Sequence, residues 1–208
     1  MTDRTLDARC RFTSIILADP DLMALLVAIR SLRLPQWRLV AGCLYQTVWN
    51  VLTGRPRGTG IQDYDLIYFD ATDLSWEAED AVIGRVTEAA RGCVGPVQAR
   101  NQARVHLWFE DHFGIPYPKL TSADEAIGRF DAIAAAVGVR LDDNGRLDVV
   151  APFGLDDLFA MVVRPNYALD NAATFRRKSQ RRQSIWPETK VIRWDRDERT
   201  QELIAGRK

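Results

Sequence analysis

Two aspartates one residue apart, Asp63 and Asp65, stand at the start of an otherwise apolar run in "GIQDYDLIYFD" (residues 60–70). On a strand, side chains at i and i+2 share a face, so the pair points the same way together with Ile61, Ile67 and Phe69. Two ionised carboxylates that close repel, and burial makes each costlier. Protonation, basic partners or a divalent cation must compensate. Oxygen-only ligands suit Mg²⁺ or Mn²⁺ better than zinc. Taken alone, such a pair is more often a strand entry whose aspartates remain in solvent. The element before it changes the weighing: "AGCLYQTVWN" (residues 41–50) reads as a strand end turning at Gly42-Cys43 into a helix. A helix start offers unpaired N–H groups and a positive dipole end to an anion, and glycine lets that anion come near the backbone. Phosphate at Gly42-Cys43 with metal on Asp63 and Asp65 would grip a nucleoside triphosphate.

Other residues carry weaker signals. Arg100 and Arg104 flank the start of a helix expected over 101–112, with Asn101 as its cap. Arg100 could meet an anionic leaving group, although a solvated helix face accounts for both arginines equally well. His106 and His112 fall on different faces of that helix, which argues against a shared metal. Asp156 and Asp157 open a helix, where the dipole favours acids in any case. Trp108, Phe109, Phe153, Phe159 and Trp186 could wall a base pocket, yet buried aromatics usually belong to a core. "FRRKSQRRQSIWPETK" (175–190) concentrates Arg176, Arg177, Lys178, Arg181, Arg182 and Lys190. Such a cluster meets triphosphate or a polynucleotide, or is simply a solvated helix face.

The elements that must position these residues follow from periodicity. Helices are expected over 5–18 and 20–33, broken at "ADPD", with Asp19 as N-cap and Pro20 at the first helical position; Leu22, Leu25, Leu26 and Ile29 form the second helix's core face. A strand in "LPQWRLVAG", a helix over 43–53, a Gly/Arg-rich loop "GRPRGTG" and a strand over 61–69 follow. Then come a helix over 76–92, a short strand over 96–100 and the 101–112 helix. A helix capped by Ser122 and Glu125 runs to about Ala136, followed by a hairpin turning at Asn144-Gly145, a helix over 155–163 and a basic tail from 172.

Composition limits the function classes. Lys plus Arg equals Asp plus Glu at 28 each, so overall charge favours neither nucleic acid nor an anionic membrane. Cys10, Cys43 and Cys93 are odd in number and have no CxxC spacing, which supports neither a disulfide framework nor structural zinc. The charged N-terminus lacks a signal core, and no stretch approaches about 18 uncharged apolar residues. These features predict a cytoplasmic protein without a membrane partner.

Several blocks resemble a known family: "AGCLYQTVWNVLTGRP", "IQDYDLIYFD", "LSWEAED", "RNQARVHLWF", "APFGLDDLF" and "RPN". They are similar to a largely uncharacterised bacterial family of nucleotidyltransferases within the DNA polymerase β-like superfamily, over about residues 20–190. The resemblance implies an α/β (α+β) fold: a polymerase-β-like nucleotidyltransferase core with a small mixed sheet, flanking helices and C-terminal hairpin and helical elements. It implies one domain over 1–208, with a helical part at 1–34, a catalytic core at 35–115 and C-terminal elements at 116–208. Asp63 and Asp65 would be the catalytic metal pair for Mg²⁺ or Mn²⁺. Gly42, Cys43, Lys178 and Arg100 would bind nucleotide phosphate. The implied reaction moves a nucleoside monophosphate from a nucleoside triphosphate to an acceptor hydroxyl on a small molecule, protein or RNA.

The sequence departs from the superfamily pattern in three places. Cys43 replaces the usual serine or other small polar residue. Twenty residues separate Gly42 from Asp63, a long interval taken up by the "TGRPRGTG" loop. The third carboxylate of the superfamily would fall in "PVQAR", which holds Gln98 instead; Asp70, Asn101 or a distant acid would have to substitute. That absence keeps a nucleotide-binding pseudoenzyme open as an alternative, and the basic tail keeps an RNA-binding accessory protein. A glycosyltransferase would need an α/β nucleotide-sugar domain ahead of the dyad, for which about sixty residues are too few.

Overall fold

The computed structural model describes residues 3–195. Two helices open the chain, α1 (Asp3–Ala18) and α2 (Pro20–Ser31). They bend at Asp19, whose carboxylate accepts the amides of Asp21 and Leu22 at 3.0 Å each, while Pro20 needs no partner for its missing donor. β1 (Arg38–Val40) leads into α3 (Gly42–Thr53), and β2 (Tyr64–Tyr68) into α4 (Trp76–Ala89). β3 (Val97–Asn101) is followed by a 3₁₀ turn at Val105–Leu107, α5 (Phe109–Phe113) and α6 (Ala123–Ile127). The hairpin β4 (Gly138–Leu141) and β5 (Leu147–Val150), α7 (Asp156–Phe159), β6 (Val162–Val163), α8 (Ala172–Ile185) and β7 (Lys190–Val191) complete it.

Five strands form one mixed sheet in the order β3-β2-β1-β4-β5; β2 and β3 run parallel and the remaining pairs antiparallel. β6 and β7 make a separate two-stranded parallel pair. Strand alternation assigns the two faces different work. Leu39, Tyr64, Leu66, Tyr68 and Val139 join the main core with side chains from α1 to α4, α7 and α8. Val40 and Ile67 face the other way, into a smaller cluster with Leu120, Ala126 and Ile127. Asp65 alternates onto that second face, which is only partly roofed.

Several elements are shorter than periodicity predicts, and each has a tertiary cause. The segment 101–112 is not one helix. Asn101 is buried in β3, its Oδ1 accepts the Asp70 and Ala103 amides, and Arg104 turns inward to pair with the buried Glu79. The helix expected from 122 to 136 stops at Gly128, because Asp131 turns into the interior to meet Arg182 and Ile133 N–H binds Arg164 O at 3.0 Å. The 155–163 helix ends at Phe159, beyond which Met161 takes φ 52° and the chain enters β6. The hairpin turns as expected, with Gly145 at φ 76° donating to Asp142 O at 3.0 Å. Residues 196–208, assigned above to the C-terminal part, lie outside the described residues. Among the described residues, no single helix is long and apolar enough to cross a membrane.

Candidate active site

The aspartate pair sits on the floor of a cleft of about 550 Å³ on the open face of the sheet. Register explains its surroundings. Val40 pairs with Asp65, so the end of β1 delivers Ala41 and Gly42 beside the dyad. Ala41 takes φ 54° and ψ −111°, a conformation a non-glycine residue adopts only under strain; its N–H is held by Val137 O at 3.0 Å. The first turn of α3 has no side-chain cap, which leaves its leading amides available to an anion in the cleft.

Gly42 lines the cleft, but the Cys43 side chain does not: it is fully buried and its thiol points to Val40 O at 3.7 Å. Burial first, and then the nearby carboxylates of Asp65 and Asp63, push that thiol well above its ordinary range. Any contribution of Cys43 to phosphate therefore comes from its backbone N–H alone.

Asp65 is partly buried, and its carboxyl is pushed up to about 6 by burial and by Asp63, against the opposing pull of Lys178 and Arg100. Asp63 accepts a hydrogen bond from Gln98 Nε2 at 2.8 Å. Gln98 lies directly across from Asp65 in the β2–β3 register, and Arg100 follows two residues later on the same face. The strand position at which the sequence resemblance would put a third carboxylate is thus adjacent to the dyad and carries an amide. Neither suggested substitute reaches it. Asp70 uses its Oδ1 on Thr72, and Asn101 is buried on the opposite face of β3. Among the described residues no three His, Cys, Asp or Glu side chains gather to hold a metal. Two hard carboxylates close enough to raise the Asp65 pKa nevertheless fit Mg²⁺, which is commonly held by one or two carboxylates with substrate phosphates and water completing the shell.

Part of the basic run at 175–182 lines the cleft, while Arg176 faces solvent. Thr174, Arg177, Lys178, Arg181 and Arg182 recur at spacings of 0, 3, 4, 7 and 8, one stripe of α8, and all five line the cleft. Arg181 donates to Gly60 O at 2.6 Å, holding the loop that leads to Asp63. Arg182 is buried against Asp131 through two hydrogen bonds of 2.6 and 3.1 Å and donates to Tyr45 Oη at 3.1 Å. Lys178 Nζ stands 3.7 Å from Asp131 with half its side chain exposed. The stripe's spacing was legible in the sequence; Asp131, 51 residues from Arg182, carried no local signal.

Of the aromatic candidates, Trp108 and Phe109 line the cleft, joined by Phe113, Tyr117 and Phe130. Trp186 is instead a core residue whose indole donates to Asn50 Oδ1 at 3.1 Å. Phe159 packs under Arg11, and Phe153 lies at the surface away from the cleft. Arg104 is likewise structural, and Asp157 pairs with Arg164 at 2.9 Å.

Two aspartates beside a strand-to-helix turn, on the open face of a small mixed sheet backed by helices, define a nucleotidyltransferase head-type fold. A solved NMR structure described as revealing a CCA-adding enzyme head domain superimposes with a TM-score of 0.68 at 24% identity, over 88% of this chain and 94% of the other. The chain belongs to a nucleotidyltransferase family, whose model matches residues 27–191. No curated protein sequence matches this chain.

Proposed function

We propose that the cleft binds a nucleoside triphosphate with Mg²⁺ or Mn²⁺ and transfers its nucleoside monophosphate to an acceptor hydroxyl, releasing pyrophosphate. The observation that carries this reading is the meeting of opposite charges across one cleft: Asp63 and Asp65 on its floor, and Arg177, Lys178 and Arg181 on its wall. A divalent ion bound at the dyad would neutralise phosphate charge and supply Lewis acidity at the reacting phosphorus. Asp63 and Asp65 would hold it. The α3 amides at Gly42 and Cys43 would accept the terminal phosphates, with Lys178 and Arg181 countering their charge. Arg100, on the strand beside Asp65, would orient the phosphate nearest the dyad. The test is calorimetric titration with a non-hydrolysable nucleoside triphosphate, with Mg²⁺ and then with a chelator. Binding should require the metal; equal affinity with and without it would refute the site.

Gln98 favours a second reading, a nucleotide-binding protein without turnover. Its amide occupies the third-carboxylate position and occupies Asp63 through a hydrogen bond. Gln98→Glu is expected to tighten Mn²⁺ binding by about tenfold, since ligand charge count sets affinity for hard cations. Unchanged Mn²⁺ affinity in that variant would place residue 98 outside the coordination sphere.

A further inference from the structure

The geometry points to Asn171 as the residue that reads a hydrogen-bond donor on the substrate's nucleoside, an inference that rests on the cleft being the nucleotide site. The cleft has two chemically different ends. At one, Arg181 binds Gly60 O, and a Cβ placed on Gly60 would lie 3.0 Å from Gln46 Oε1. Gln46 in turn stands over Gly42, its Nε2 being 3.1 Å from where a Cβ on that glycine would be. The Arg181 end of α8 is therefore the end beside the α3 amides, suited to phosphate. Asn171 lies ten residues earlier, about 15 Å along a helix rising 1.5 Å per residue.

Aromatic side chains line the same cleft. Asn166 N–H binds Asp131 O at 3.0 Å, bringing the approach to α8 against the segment that holds Phe130. Phe130 and Tyr117 both pack against the smaller core cluster, and the Tyr117 ring lies 4.6 Å from that of Phe109. A planar base is the part of a nucleotide that such rings accept by stacking.

Asn171 is 9% exposed and lines this end of the cleft, yet its Oδ1 is buried with no partner. Asparagine at a helix start ordinarily caps it, but no side-chain bond of that kind is made to α8. Buried amide oxygens are nearly always hydrogen-bonded, so an orphan in a cleft wall calls for a donor brought by the ligand. Phosphate oxygens bring only acceptors. A nucleoside brings two kinds of donor, the exocyclic amino group of a base and the sugar hydroxyls.

Calorimetry with Mg²⁺ separates the sources. The titrants are ATP, its analogue lacking the 6-amino group, and 2′-deoxy-ATP. The wild type should bind one of the two analogues about tenfold more weakly than ATP, as expected for one lost hydrogen bond. Loss with the first identifies the amino group, and loss with the second the sugar hydroxyl. Asn171→Ala should erase the discrimination without moving the thermal midpoint, since the side chain caps nothing. Asn171→Asp, which keeps an acceptor oxygen, should retain it. Equal binding of all three by the wild type, or discrimination that survives Asn171→Ala, overturns the inference while leaving the nucleotide site standing. Failure of all three, and of GTP, CTP and UTP, to bind overturns both.

Discussion

Asp65→Asn is expected to stabilise the metal-free protein at pH 7.5 while weakening Mg²⁺-dependent triphosphate binding by more than about 100-fold. The binding loss follows because removing even an outer-shell partner of a metal ligand costs about 10–100-fold, and Asp65 is a proposed ligand itself. The stability gain follows from the sign of its shift. Burial and Asp63 raise the Asp65 carboxyl from 3.8 to about 6, so its ionised form is disfavoured in the folded state. Its favourable contribution is complete below about 3.8 and lost as pH rises through about 6. An asparagine never ionises and escapes that loss.

With partial exposure allowed for, the gain should be about 2 kcal/mol at pH 7.5 and close to nil at pH 4. Denaturant unfolding at both pH values measures it. A variant less stable than wild type at pH 7.5, or a gain equal at both pH values, would show that Asp65 is not a strained carboxylate. Adding Mg²⁺ should close the gap by stabilising only the wild type.

Asp131→Ala is expected to cost about 3–5 kcal/mol, because it strands the buried Arg182 guanidinium without its counter-charge. Arg182 is 4% exposed and has Tyr45 Oη as its other neutral partner, too little to solvate a cation. Replacing both partners, Asp131→Leu with Arg182→Met, should recover most of the loss, since a buried pair is often no better than an apolar replacement of similar volume. If the double variant is as unstable as the single, the pair does more than neutralise itself.

Acid unfolding gives an independent check. Burial alone would raise the Asp131 carboxyl, but Arg182, with help from Lys178, outweighs it and holds the group below the usual carboxylate range. A depressed carboxyl contributes stability that is complete above its unfolded value and lost as pH falls through the folded one. The double variant should lose less stability than wild type across that acidic window.

The main elements were legible because their causes are local. Asp19 and Pro20 start α2, Ser75 caps α4 through the Ala78 amide, and Asn144-Gly145 turns the β4–β5 hairpin. Strand periodicity put Asp65 and Ile67 on one face and Leu66 and Tyr68 on the other, but the strand expected over 61–69 spans only Tyr64–Tyr68, so Asp63 precedes it and Ile61 packs on the main core instead. Helical periodicity also contained the α8 stripe, but nothing local distinguishes a stripe facing a cleft from one facing water.

Where local rules failed, a distant charge had won. Arg104 left its expected helix to meet Glu79, 25 residues away, and Asp131 interrupted another to meet Arg182. Once one partner of such a pair is buried, leaving the other out costs more than the small propensity differences that decide helix ends.

By itself, then, the sequence determined α1 to α4, the strand-to-helix turn at Gly42 and the β4–β5 hairpin, while β6, β7 and the broken 101–112 segment escaped it. Each follows from the geometry of a few consecutive residues. Only the tertiary structure decided that α8 closes the cleft, that Cys43 turns its sulfur inward, that Gln98 stands opposite Asp65, and that Asn171 Oδ1 is left without a partner. Those outcomes depend on register and packing between segments tens of residues apart, and no short window of the chain contains both halves of such a contact.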